Sequence, residues 1–182
     1  YRGLSRELFL LINNVLFVVA LGVVLVGTLY PLAYEAVTGG DKISVGPPYF
    51  NRLFVPLMGL LAVFLALVPA ARWKRTPIRL FRQVCLLLLV SMLVGAVFFV
   101  IAIMSDRALN TGSIVGVVIA VTLALWLLLS HSVDFIQRKG ARPLGYLGML
   151  LAHIGFAIAA VGVAITSVFS HETEVRLSPG DT

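Results

Sequence analysis

The stretch YLGMLLAHIGFAIAAVGVAITSVF, Tyr146–Phe169, contains no Asp, Glu, Lys or Arg and a single histidine, His153. As a helix it is long enough to cross a bilayer core of about 30 Å, which takes roughly 20 apolar residues. Burying an ionisable side chain in hydrocarbon is costly without a partner, so an intramembrane histidine is a functional-site candidate. Its partner has to be sought in the rest of the chain.

Four further runs resemble this one in length and composition. With Leu144–Phe169 they are Leu8–Tyr30, Leu53–Ala71, Val84–Met104 and Ser113–Ser130, all without acidic or basic residues. Charged residues make up 12% of the chain and hydrophobic ones 60%, whereas a soluble domain carries about 25% charged residues. Backbone polar groups in lipid must be satisfied internally, and runs this long and continuous imply helices rather than barrel strands. The expected fold is an all-α integral membrane protein, a bundle of about five transmembrane helices. Residues 31–52 are expected as an outer loop and 171–182 as the start of an outer segment.

The net charge of +6 is explained by its placement. Arg2 and Arg6 precede the first run; Arg72, Lys74, Arg75, Arg79 and Arg82 follow the second; Arg138, Lys139 and Arg142 follow the fourth. The opposite connections hold only Lys42, Arg52, Arg107 and Arg176. The positive-inside rule then predicts a multi-pass protein with its N-terminus in the cytoplasm and its C-terminus outside. Topology accounts for the charge, which argues against nucleic acid as a partner. Cys85 is the only cysteine, so neither an internal disulfide nor a dithiol or covalent haem-attachment motif exists. The chain opens at Tyr1 rather than Met and stops at RLSPGDT, as expected for a piece of a longer protein.

Asn13 and Asn14 in the first run are expected to hydrogen-bond between helices. In the segment VGPPYFN, Val45–Asn51, Gly46 permits a tight bend, and Pro47 and Pro48 stiffen the chain and cannot continue a helix. Tyr49 and Phe50 suit the aromatic belt at a membrane interface. A rigid re-entry into the second helix explains the whole segment without a ligand. The basic stretch RWKRTPIRLFRQ, with Trp73, Ile78, Leu80 and Phe81 interleaved, suits a short amphipathic segment against anionic headgroups. Trp126 is assigned to packing.

In the fifth run, Gly148, Ala152, Gly155, Ala159, Gly162 and Thr166 recur at steps of three and four. They share one helical face, on which a neighbouring backbone is expected to approach closely. The adjacent face holds Tyr146, Met149, Leu150, His153, Phe156, Ala157 and Ala160, with room expected for a flat ring. Three roles for His153 stay open on these residues: a hydrogen bond to a neighbouring helix, a step in a proton path, or an axial bond to haem iron. Two imidazole nitrogens facing each other across one iron sit about 4 Å apart, given ligand bonds near 2 Å. His171 lies 18 residues beyond His153, about 27 Å along a helix. His131, at the expected inner end of the fourth run, is about 13 Å shallower. Neither is expected to reach His153.

Three separated blocks resemble the CcmF family in order: SRELFLLINNVLFVVALGVVLVGTLYPL, ISVGPPYFN and LAHIGFAIAAVGVAITSVFSHETEVRLSPGD. CcmF is the large membrane subunit of the haem lyase in cytochrome c-type biogenesis. The resemblance implies that haem is received from the chaperone CcmE and, with CcmH and CcmI, attached to apocytochrome c at the outer face of the membrane. It also implies a b-type haem among the transmembrane helices, held between two histidines. By its LAHIG context, His153 matches one of these two ligands, and the second would come from outside this segment. The family's tryptophan-rich outer segment and its other histidine ligands have no counterpart here, and Trp73 and Trp126 are isolated. The segment alone is expected to be inactive, and the rest of CcmF is an implied partner. Two alternatives come from other classes: a transporter subunit with His153 in a proton or solute path, and a structural membrane bundle.

Overall fold

The computed structural model describes residues 5–40, 43–71, 77–105 and 111–169. They form five helices, α1 (Arg6–Thr38), α2 (Pro47–Leu67), α3 (Ile78–Ser105), α4 (Thr111–Gln137) and α5 (Leu144–Phe169), with a 3₁₀ turn at Val68–Ala70 after α2. All five are long and apolar enough to cross a membrane. His171, Trp73, Lys42 and Arg107 lie outside the described residues.

The helices outrun the apolar runs that announce them. At the start of α1 the Leu8 N–H donates to Ser5 Oγ at 3.3 Å, and Glu7 lies in the first turn, where a carboxylate complements the helix dipole. The helix passes through Pro31 and ends only at Gly39, whose φ of 75° is the left-handed conformation that glycine adopts without strain. At Gly46 the backbone is extended, with φ −96° and ψ −169°, and α2 begins at Pro47. The two prolines that were expected to bar a helix instead start one, because the first-turn N–H groups they lack have no intrahelical partner. The connection from α1 to α2 is therefore much shorter than residues 31–52. Likewise, α4 continues past Ser130 to Gln137, since Ser132, Asp134 and Gln137 interrupt an apolar run without breaking a helix.

The central position belongs to α4, which packs on α2, α3 and α5, while α1 packs on α2. Ala66, Val84, Ala124, Trp126, Leu127 and Ala157 form the core. Trp126 is buried, and its Nε1–H donates to the Val84 carbonyl at 2.9 Å, so the packing role read from the sequence comes with a satisfied polar tip. A Cβ on Gly95 of α3 would run into the Thr122 hydroxyl of α4. Gly27 performs the same service for α1 and α2: a Cβ there would come within 2.7 Å of both the Tyr49 and Phe50 rings. Those rings meet edge to face, with centroids 5.2 Å apart, and the Tyr49 hydroxyl donates to the Val23 carbonyl at 3.1 Å. The GTLYP and GPPYF segments are thus two sides of one contact.

Two expectations are corrected. Asn13 Oδ1 is buried without a hydrogen-bond partner among the described residues, and Asn14 is exposed. On α5, Gly148, Ala152, Gly155, Ala159, Gly162 and Thr166 are all exposed, and a Cβ on any of these three glycines would meet nothing within 4 Å. The small-residue face has no neighbour among the described residues. The face with room expected for a ring is the one buried against α4, where Ala157 is 1% exposed. Spacing identified both faces, but it could not say which one this chain covers.

Candidate functional site: an imidazole pair between two helices

α4 and α5 are joined by a short connection with Gly140 at φ 113°, which turns the chain back on itself. On α4, Leu127, His131 and Asp134 recur at steps of four and three; on α5, Tyr146, His153 and Ala157 recur at steps of seven and four. Each set shares a helical face, and the antiparallel hairpin lays one set along the other. At the turn end the Tyr146 hydroxyl donates to Asp134 Oδ2 at 2.8 Å. The Arg138 guanidinium lies 4.0 Å from the Tyr146 ring centre, and that of Arg142 lies 3.8 Å from the Phe135 ring centre while donating to the Phe135 carbonyl. This clamp sets the register of everything deeper in the seam.

One layer in, His131 and His153 meet. His153 Nδ1 lies 2.6 Å from His131 Nε2, with ring centroids 4.6 Å apart and planes at 83°. The expectation that His131 could not reach His153 is overturned. It placed the end of the fourth helix at Ser130, but α4 runs to Gln137. His131 is therefore six residues inside its helix, about 9 Å, against nine residues and about 13 Å for His153. The remaining offset is within the span of two side chains. The signal was present in the sequence as positions counted outward from the turn, but reading it required the true helix end.

The bonding pattern assigns the protons. His131 Nδ1 lies 3.0 Å from the Leu127 carbonyl, and a carbonyl oxygen can only accept, so Nδ1 carries the hydrogen. With both rings neutral, each has one donor and one acceptor. His131 Nε2 is then the acceptor, His153 Nδ1–H donates to it, and the proton-free nitrogen of His153 is Nε2. That atom has no hydrogen-bond partner among the described residues. His131 is 2% exposed and has both nitrogens engaged; His153 is half-buried.

Beside the pair, Ser130 is buried with its hydroxyl unpartnered among the described residues. It borders a cleft of about 490 Å³ that Gln83, Asp134, Gln137 and Arg138 also line. Among the described residues no three His, Cys, Asp or Glu side chains gather to hold a metal ion, and Cys85 is free. What the seam offers is one lone pair on one imidazole.

The whole chain aligns with known proteins. It is 42% identical over 188 residues to the cytochrome c-type biogenesis protein CcmF of Pseudomonas fluorescens, an alignment that covers 98% of the chain and 27% of that protein. The chain is homologous to a segment of CcmF. With the CcmF of Escherichia coli K12 the identity is 35% over 181 residues, covering 98% and 27%. With the cytochrome c-type biogenesis protein CycK of Rhizobium meliloti it is 34% over 199 residues, covering 99% and 28%. The chain thus spans about a quarter of the length of these relatives. No family model matches it, and no solved structure does. The CcmF homology extends over all five helices, so the α1–α2 contact and the imidazole pair both lie within the homologous stretch.

Proposed function

We propose that this chain is the part of a CcmF-type haem lyase that supplies one axial ligand to a b-type haem within the membrane, and that His153 is the ligand. The observation that supports this is that His153 Nδ1 is tied to His131 while Nε2, the nitrogen that the neutral tautomers leave proton-free, is unpartnered among the described residues. The donor set fits one axial bond. It does not fit a pair from this chain, because nitrogens 2.6 Å apart are too close to flank an iron, which needs about 4 Å. The second axial ligand then comes from the remainder of the longer protein. Haem, when bound, supplies one-electron chemistry whose potential the axial ligand helps to set. The chain's own residues hold the ligand. α4 and α5 keep the imidazole in place, with Leu127 and Ala157 buried in the same seam.

In this reading the longer protein receives haem from CcmE and, with CcmH and CcmI, attaches it to apocytochrome c at the outer face of the bacterial inner membrane. The basic connections face the cytoplasm and the C-terminal end faces the periplasm. This segment alone is inactive.

A proton path is the competing reading, and two hydrogen-bonded imidazoles are what such a path would use. It ends, however, at the Leu127 carbonyl, which accepts a hydrogen bond but does not pass a proton on. The test is His153→Ala in the full-length membrane protein, read by its haem absorption spectrum. The axial reading expects the buried haem to be lost or left five-coordinate, with added imidazole restoring a six-coordinate spectrum. A six-coordinate spectrum of full intensity without imidazole would rule the ligand out.

A further inference from the structure

We infer that His131 is a positioning residue for His153: it fixes the tautomer that leaves Nε2 free and strengthens that nitrogen as a donor to iron. The inference rests on His153 being an axial ligand, and it assigns a second histidine of this chain to the same site without placing it on the metal.

Three observations carry it. The first is direct contact: His153 Nδ1 lies 2.6 Å from His131 Nε2, and the tautomers assigned above make His153 the donor. The second is that His131 is held rigidly. Its ring is 2% exposed, and its Nδ1–H is anchored 3.0 Å from the Leu127 carbonyl, one turn back in the same helix. The acceptor atom presented to α5 is therefore set by the backbone of α4 rather than by a mobile side chain. The third is the polarity of the chain of bonds, Leu127 carbonyl to His131 to His153, in which every donor points the same way. Hydrogen bonds linked in this sense polarise one another, so the carbonyl raises electron density on His131 Nε2, which in turn pulls on the His153 proton.

The consequence for a ligand is general. A metal-bound histidine commonly donates its second N–H to an acceptor that sets ring orientation and raises the basicity of the bonding nitrogen. Carbonyl or carboxylate acceptors are usual; here an imidazole relays a carbonyl. A ligand made more basic favours ferric over ferrous iron. Removing the acceptor should weaken haem binding and raise the midpoint potential. Loss of such a partner typically costs about 10- to 100-fold in metal affinity. If a tenfold change falls on the ferric state alone, the potential moves by about 59 mV for one electron.

The experiment uses the full-length protein with its haem and measures midpoint potential and haem affinity for four variants. His131→Leu removes the acceptor at similar volume. His131→Asn stays polar but is too short to reach His153. His131→Gln can place its amide oxygen near the position of Nε2, and His153→Ala removes the ligand itself. We expect Leu and Asn to raise the potential by about the tenfold equivalent, Gln to stay near the unaltered protein, and added imidazole to change neither Leu nor Asn because His153 still occupies the iron. Potential is read per haem, so lower protein levels do not imitate the effect. If Leu fails to fold, Asn against Gln decides: equal potentials overturn the inference. An unchanged potential in Leu or Asn also overturns it, while loss of haem in His153→Ala leaves the ligand assignment standing. If His153→Ala keeps its haem six-coordinate, the ligand reading fails and the role of His131 fails with it.

Discussion

Gly27→Ala adds one methyl group at a close contact between α1 and α2. Built on the backbone, that Cβ lies 2.7 Å from Phe50 Cζ, 2.7 Å from Tyr49 Cε1 and 3.0 Å from Phe50 Cε1. Two rings have to move, and neither is a loose end. They pack against each other edge to face at 89°, and the Tyr49 hydroxyl is tied to Val23 of α1. Forcing an extra methyl into a filled contact costs about 1–3 kcal/mol. Alanine also favours the helix over glycine by about 1 kcal/mol. The net expectation is a loss of about 1 kcal/mol, rising steeply for Gly27→Leu. Unfolding free energy measured in detergent micelles would show it. Pairing Gly27→Ala with Phe50→Ala should give less than the sum of the two losses, because the methyl then fills space the ring has left. If Gly27→Ala is instead stabilising by the full helix term and additive with Phe50→Ala, the α1–α2 contact is not as close as described.

Two more perturbations probe the faces the chain presents outward. A Cβ at Gly155 meets nothing within 4 Å among the described residues, so Gly155→Leu should leave the α4–α5 seam unaffected; in the full-length protein it should reduce assembly or bound haem, because small residues in a row suit a close helix neighbour. Normal assembly and haem content would assign that face to lipid. For orientation, Lys139→Cys in a background lacking Cys85 should resist impermeant thiol reagents in intact cells, whereas Lys42→Cys should label; the reverse pattern would invert the topology.

Five helices were legible because hydrophobic runs of this length have few other solutions in or out of a membrane. Helix ends were less so, since polar residues such as Asp134 and Gln137 end an apolar run without ending a helix, and a proline can begin one, as Pro47 does. The misplacement of one such end, at Ser130 rather than Gln137, was enough to separate His131 from His153 on paper. GPPYF was legible as a stiff entry into the second helix with interfacial aromatics, and its link to GTLYP was not. Their shared contact at Gly27 depends on two helices lying side by side, which neither segment states alone.

Composition and charge by themselves determined a bundle of five membrane-length helices with an isolated imidazole in the last, because burial of apolar length is a property of each segment taken singly. Which face of α5 is covered, and what the imidazole touches, depended on how α4 and α5 pack. A helix carries its faces at a fixed period, but the turn, the Tyr146–Asp134 clamp and the true end of α4 decide which face meets which neighbour. That register, not any motif, brings His131 to His153.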